Sequence, residues 1–217
     1  HDDINRRYPV LYCHDGQNMF DSTTAFMGMK WNLDNTAFHM MQEGTLEPFI
    51  MVGVYNSPDR IPEYNPLAKG GDFGRFLVEE LMPAVNANFR TQGGRRNALM
   101  GSSMGGLMSL YALLQYNDTY SRAAALSPSI WVAPDKLSGL VGRAKLAPGT
   151  VLYMDYGSRE MGNHEGIRRQ FSALSGKLMT RGIHLTSRIV PGGTHSEASW
   201  EKQLPFVFHT LLYEVEE

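Results

Sequence analysis

The 217-residue chain carries 20 basic and 22 acidic residues, a formal net charge of −2, and 42% hydrophobic residues. That suffices for one domain over residues 1–217, and charge spread without long blocks points to no nucleic-acid partner and no membrane surface. No apolar run reaches the length of a membrane span, and the lone Cys13 rules out an internal disulfide framework or a zinc site built on several thiolates.

Taken in order, short apolar runs alternate with longer segments of helical period. Pro9–Cys13, Phe49–Val54, Asn97–Gly101, Ala123–Ser127, Val151–Tyr156 and Leu185–Val190 are nearly continuous apolar runs. They read as strands buried on both faces. Cys13 belongs to the first run and reads as a core residue. Between the runs the pattern predicts helices over Trp31–Glu43, Phe73–Phe89, Gly105–Gln115, Asp135–Arg143 and Glu165–Arg181. In the last of these Ile167, Phe171, Leu174 and Leu178 form one apolar stripe. A final helix is expected from about Ser199 to Tyr213, with Pro205 near its first turns or kinking it. Strand–helix repetition of this kind predicts an α/β fold, a mostly parallel sheet with helices on both faces. One connection is unusually long, Tyr55–Asp72, with prolines at 58, 62 and 66. Loops of that length tend to be functional or mobile.

The strongest chemical signal is Gly101-Ser102-Ser103-Met104-Gly105-Gly106, a G-x-S-x-G turn between a strand and a helix. A sharp turn of this type lifts the serine hydroxyl to the carboxyl end of the sheet, where a helix N-terminus favours developing negative charge. Ser103 is therefore the expected nucleophile. Its base should follow in the chain. His195, in the loop Pro191-Gly192-Gly193-Thr194-His195-Ser196 before the last helix, fits better than His39 or His209 in helices, His184 at a strand start, or His14 ahead of the serine. The orienting acid should lie at a strand's carboxyl end. Glu160, in Gly157-Ser158-Arg159-Glu160, is preferred over Asp155 within the strand and Asp135 after the preceding one. Oxyanion donors are expected from the N–H of Met104 and of Gln17, with Gly16 close behind. Trp31, Trp131 and Trp200 are candidate substrate-binding walls, with core packing the competing expectation for each.

These segments, with Tyr8-Pro9-Val10-Leu11-Tyr12-Cys13-His14-Asp15-Gly16-Gln17-Asn18-Met19-Phe20 and Ala125-Leu126-Ser127-Pro128-Ser129, resemble the esterase D-like "Putative esterase" family of α/β-hydrolases. The resemblance runs over nearly the whole chain. It includes enterochelin-type esterases and feruloyl and acetyl xylan esterases, and it implies metal-free, cofactor-free hydrolysis of carboxylic esters by Ser103, His195 and an acid at Glu160. Two departures stand out. Family members often carry Asp at the acid position. They also generally have one or two strands before the segment matching Tyr8–Asp21, whereas only the short stretch Asp2–Arg7 precedes it here; a trimmed chain or a sheet with a newly exposed edge is expected. The expected partner is a small or polymer-linked ester, of short-chain, aromatic or sugar-linked type. Acyl transfer, thioester hydrolysis and a non-catalytic binding role are the rival readings. The chain begins at His1 rather than Met, so a processed, tagged or trimmed product is expected and the missing signal segment says little about compartment, which stays open with the cytoplasm slightly favoured over secretion.

Overall fold

The six apolar runs form six strands, β1 (Val10–His14), β2 (Ile50–Val54), β3 (Asn97–Ser102), β4 (Tyr120–Leu126), β5 (Val151–Gly157) and β6 (His184–Val190). This computed structural model describes residues 4–160, 162 and 164–212. The strands make one sheet in the order β2-β1-β3-β4-β5-β6, every pairing parallel. Central strands are buried along their length, apart from Arg122 of β4, whereas β6 at one edge mixes buried and exposed positions. Burial on both faces accounts for the unbroken apolar runs of the centre, and the edge position of β6 leaves His184, Ser187 and Ile189 exposed and Thr186 and Arg188 half-buried.

Side chains alternate between two cores. Val10, Tyr12, Leu99, Ala123, Ala125, Leu152 and Met154 face one layer of helices. That layer holds α3 (Gly70–Phe76), α4 (Met82–Asn88), α5 (Met104–Gln115), α6 (Pro134–Arg143) and α7 (His164–Met179). Leu11, Cys13, Ala98, Met100, Ala124 and Tyr153 face the other, built from α1 (Leu33–Gln42), α8 (Glu197–Glu201) and α9 (Leu204–Leu212). The architecture is that of an α/β-hydrolase.

Two expected helices are interrupted, each at a proline. Between α3 and α4 the backbone widens into a π-helical segment, Leu77–Leu81, just ahead of Pro83. Pro83 has no N–H, and its ring crowds the carbonyl one turn back, so a wider turn relieves both defects. The final helix is split into α8 and α9 by a turn at Lys202 and Gln203, because Pro205 tolerates only the first turn of a helix. Tyr213, its expected end, lies outside the described residues.

The chain passes from β1 to β2 on one side and then returns to β3 on the other side of β1. Helix α1 covers one face and α5 the opposite face. At such a switch point the loops leaving neighbouring strands diverge, which opens a crevice at their carboxyl ends. Asp15–Asn18 and Ser103 sit at that crevice.

Candidate active site

At the end of β3 the backbone turns within one residue: Ser103 has φ 54° and ψ −121°, and α5 begins at Met104. Such a conformation is costly for a residue with a side chain and persists only where its surroundings enforce it. Here Ser103 N–H donates to the Leu126 carbonyl at 3.0 Å, while the Ser103 carbonyl accepts from the N–H groups of Leu107 and Ser129, both at 3.0 Å. A side chain at 101 would put its Cβ 2.6 Å from the Gly105 carbonyl carbon, so the tight turn requires Gly101. The Ser103 hydroxyl lies 3.3 Å from that of the buried Ser129.

Across the crevice, β1 is followed by Asp15, left-handed at φ 57°, and then by a 3-10 turn over Gly16–Asn18. A Cβ at 16 would meet the backbone carbon of Gly53 at 2.3 Å, so this loop is pressed onto β2. Its anchor is Asp15. Arg60 grips both carboxylate oxygens, Nε to Oδ1 at 2.6 Å and Nη2 to Oδ2 at 2.7 Å, and Asn56 Nδ2 donates to Oδ1 at 2.6 Å. The Asp15 N–H donates to the buried Tyr64 hydroxyl at 3.1 Å. The Asn56 N–H reaches the Gln17 side chain at 3.3 Å. The long Tyr55–Asp72 connection is thus an ordered brace, with a short helix α2 (Arg60–Glu63), that fixes the loop carrying Gly16 and Gln17. The backbone N–H of Met104, first in its helix, has no intrahelical partner, as at any helix start. His14, fully buried against the rings of Tyr64 and Phe73, has its pKa pushed down to about 4, chiefly by burial, with Asp15 raising it and Arg60 lowering it. It stays neutral and enclosed.

The other half of the site forms where the loops after β5 and β6 meet. Gly157 lies so close to Gly193 that a Cβ there would sit 2.4 Å from its carbonyl oxygen. Arg159 N–H donates to the Gly193 carbonyl at 2.8 Å, and Gly192 N–H to Ser158 Oγ at 2.7 Å. This zipper brings Glu160, 2% exposed, to the imidazole of His195: Oε2 lies 2.9 Å from Nδ1. A carboxylate only accepts, so Nδ1 carries the proton and Nε2 is left with its lone pair. The His195 ring stands edge-on to Trp200 at 5.0 Å, with 29% of its side chain exposed. Glu160 Oε1 accepts from Gly157 N–H at 2.6 Å and from the hydroxyl of Ser127.

Asp155, the competing acid, points elsewhere. Its Oδ1 accepts the Ser127 N–H at 3.0 Å and its Oδ2 the Tyr153 hydroxyl at 2.8 Å. Burial raises its pKa to about 6 against the lowering effect of those hydrogen bonds. Asp135 is exposed on the first turn of α6. Of the three tryptophans, Trp131 is 40% exposed. Trp31 is 1% exposed and packs on Trp200 at 5.6 Å, and both belong to the core beneath His195. Their rings are large enough to fill the gap between α1, α8 and the sheet, which sets them against protein. Sequence reasoning passed over Ser127, Ser129 and the Arg60–Asp15 brace; the length of the 55–72 connection was the one signal toward the brace. Among the described residues no cluster of three His, Cys, Asp or Glu side chains could hold a metal.

Fold and crevice define the class, an α/β-hydrolase. The chain belongs to the "Putative esterase" family, whose profile matches residues 1–210. It is 24% identical over 177 residues to the uncharacterized protein YbbA of Bacillus subtilis, covering 75% of this chain and 66% of that protein. It is 25% identical over 209 residues to an endo-1,4-beta-xylanase/feruloyl esterase of Xylanibacter ruminicola, covering 94% of this chain and 26% of that one. The chain thus spans less than two thirds of the length of either curated relative. An IroE-like serine hydrolase from Shewanella oneidensis superposes with a TM-score of 0.78 at 22% identity, covering 98% of this chain and 73% of that chain.

Proposed function

We propose that the chain is a serine-dependent carboxylic ester hydrolase working through an acyl-enzyme, with Ser103 as nucleophile, His195 as base and Glu160 as orienting acid. The observation that carries the reading is the buried Glu160 carboxylate 2.9 Å from His195 Nδ1, at the same sheet edge as the strained serine. Rotation of the Ser103 side chain from Ser129 toward Nε2 starts the cycle. Oγ attacks the ester carbonyl as its proton passes to Nε2, and ionised Glu160 stabilises the imidazolium. The N–H groups of Met104 and Gln17 meet the developing oxyanion, held in advance by the helix start and by the Arg60 brace. The intermediate collapses, Nε2 returns the proton to the departing alcohol, and water repeats the sequence to release the acid.

The acyl group is proposed to be apolar or aromatic, as in the ferulate ester named for one relative. Loops leaving the carboxyl ends expose Phe26 and Met27 after β1, Tyr55 and Ile61 after β2, and Trp131 after β4. Exposed apolar side chains on the loops leaving this edge fit such a group. The test is a panel of p-nitrophenyl acetate, p-nitrophenyl butyrate and methyl ferulate, with a serine-directed phosphonate as label. Turnover of at least one ester, with label on Ser103, is expected. Absence of turnover and of labelling would overturn the reading.

A further inference from the structure

Ser127 lies at the end of β4, 33 residues before Glu160 in sequence, and its hydroxyl touches that acid. Three observations single it out. Its backbone is left-handed at φ 43°, a conformation rare for a serine, and its N–H is gripped by both the carbonyl and the carboxylate of Asp155 at 3.1 and 3.0 Å. Its oxygen accepts the indole N–H of Trp200 at 3.0 Å. It is 2% exposed, so water has no access to substitute for it.

These contacts leave the hydroxyl a single orientation. An indole N–H can only donate and an ionised carboxylate can only accept. The serine proton must therefore point at Glu160 Oε1, and the chain of donors runs Trp200 to Ser127 to Glu160, with His195 Nδ1–H donating to the other oxygen. Successive hydrogen bonds of this kind polarise one another in a dry interior.

We infer that Ser127 is a positioning residue for the reaction, setting the ionisation and aim of Glu160 and, through it, the basicity of His195. The inference rests on the triad proposed above. A buried carboxylate is costly unless its oxygens are satisfied, and Ser127 and Gly157 satisfy Oε1 while His195 takes Oε2. Among the described residues, the other ionisable groups that act on this cluster include Tyr153, Asp155 and Tyr156 of β5, Arg188 of β6 and Arg168 of α7. Without the serine hydroxyl, Glu160 binds a proton more readily. Alternatively it stays ionised and holds the imidazolium more tightly. Either way the Glu160–His195 pair takes up its first proton at a higher pH.

The experiment compares Ser127→Ala and Ser127→Gly with the unmodified protein, reading kcat/KM against pH and the melting temperature. Glycine relieves the left-handed backbone and alanine does not, while both delete the hydroxyl. Both variants should lose about tenfold to hundredfold in kcat/KM, with the acidic limb moved to higher pH by about half a unit or more. Glycine at the wild-type rate would overturn the inference, since strain alone would then explain the residue. A fall in rate with an unmoved acidic limb would also overturn it. Failure of the triad itself reads differently: Ser103→Ala would remain active, whatever the Ser127 variants do.

Discussion

On the side of the proposed nucleophile, between β1 and β3, position is set by the backbone. Ser103 is strained at φ 54°, Gly101 and Gly16 sit where a Cβ would strike neighbouring main chain, and the proposed oxyanion donors are peptide N–H groups. On the side of the proposed acid and base, between β4 and β6, position is set by side chains. Glu160, Ser127, Trp200 and Asp155 form a buried network tying three loops to His195. The brace from Arg60 to Asp15 is the point at which the first half borrows the method of the second. The contrast teaches where each half is vulnerable. A half built from backbone is broken by adding a methyl group; one built from a network is broken by deleting a polar atom.

The largest effects should come from the residues where the halves meet. Ser103→Ala is expected to lower ester turnover by roughly 10⁴–10⁶-fold without unfolding the protein, and His195→Ala about as far. Steady-state rates of the double variant check the coupling: it should fall hardly further than either single one, whereas multiplied losses would mean the two act independently. Glu160→Gln comes next, with a loss of roughly 10²–10⁴-fold. The amide can present its NH2 to the imidazole and so favour the wrong tautomer. A rate within threefold of wild type would point to a Ser-His dyad that needs no acid.

Gly101→Ala probes the backbone half directly. A Cβ placed 2.6 Å from the Gly105 main chain must push apart the turn that holds Ser103. A loss of roughly 1–3 kcal/mol in unfolding free energy is expected, together with reduced turnover. Denaturant titration would expose the error if stability were unchanged. Arg60→Lys is gentler. Lysine keeps the charge but cannot grip both oxygens of Asp15, so kcat should fall about tenfold or less with KM little altered.

Asp155→Asn should affect stability more than rate, and in a pH-dependent way. Burial raises the folded pKa of Asp155 to about 6, above its ordinary value. The folded state therefore binds that proton more tightly than the unfolded state. Its contribution is fully present below about pH 4 and is lost as pH rises through about 6. Asparagine has no such loss, so the melting temperature of the variant relative to wild type should climb between pH 4 and 6.5. A constant difference across that window would show that Asp155 does not titrate there.

The sequence by itself determined the parts that contiguous residues can encode. Unbroken apolar runs marked the doubly covered strands, and glycines around Ser103 marked a turn that only a small residue can make. The order of serine, acid and histidine marked which loops to compare, and Glu160 was preferred because it follows a strand end; the structure sets it 2.9 Å from His195 Nδ1. The helix interruption at Pro205 was half legible: the proline was visible, but whether the helix would bend, widen or break depends on what packs against it, and the interruption ahead of Pro83 carried no expectation. Only the tertiary structure decided the rest. Trp31 and Trp200 lie in the core rather than on an open wall because α1 and α8 close over them. Ser127 reaches Glu160 across 33 residues and Trp200 across 73, and Asp15 reaches Arg60 across 45. Local sequence states what conformation a residue can adopt, through sterics and hydrophobic period. The partner of a buried polar atom depends on which strands lie side by side, and that order is set by the packing of the whole sheet.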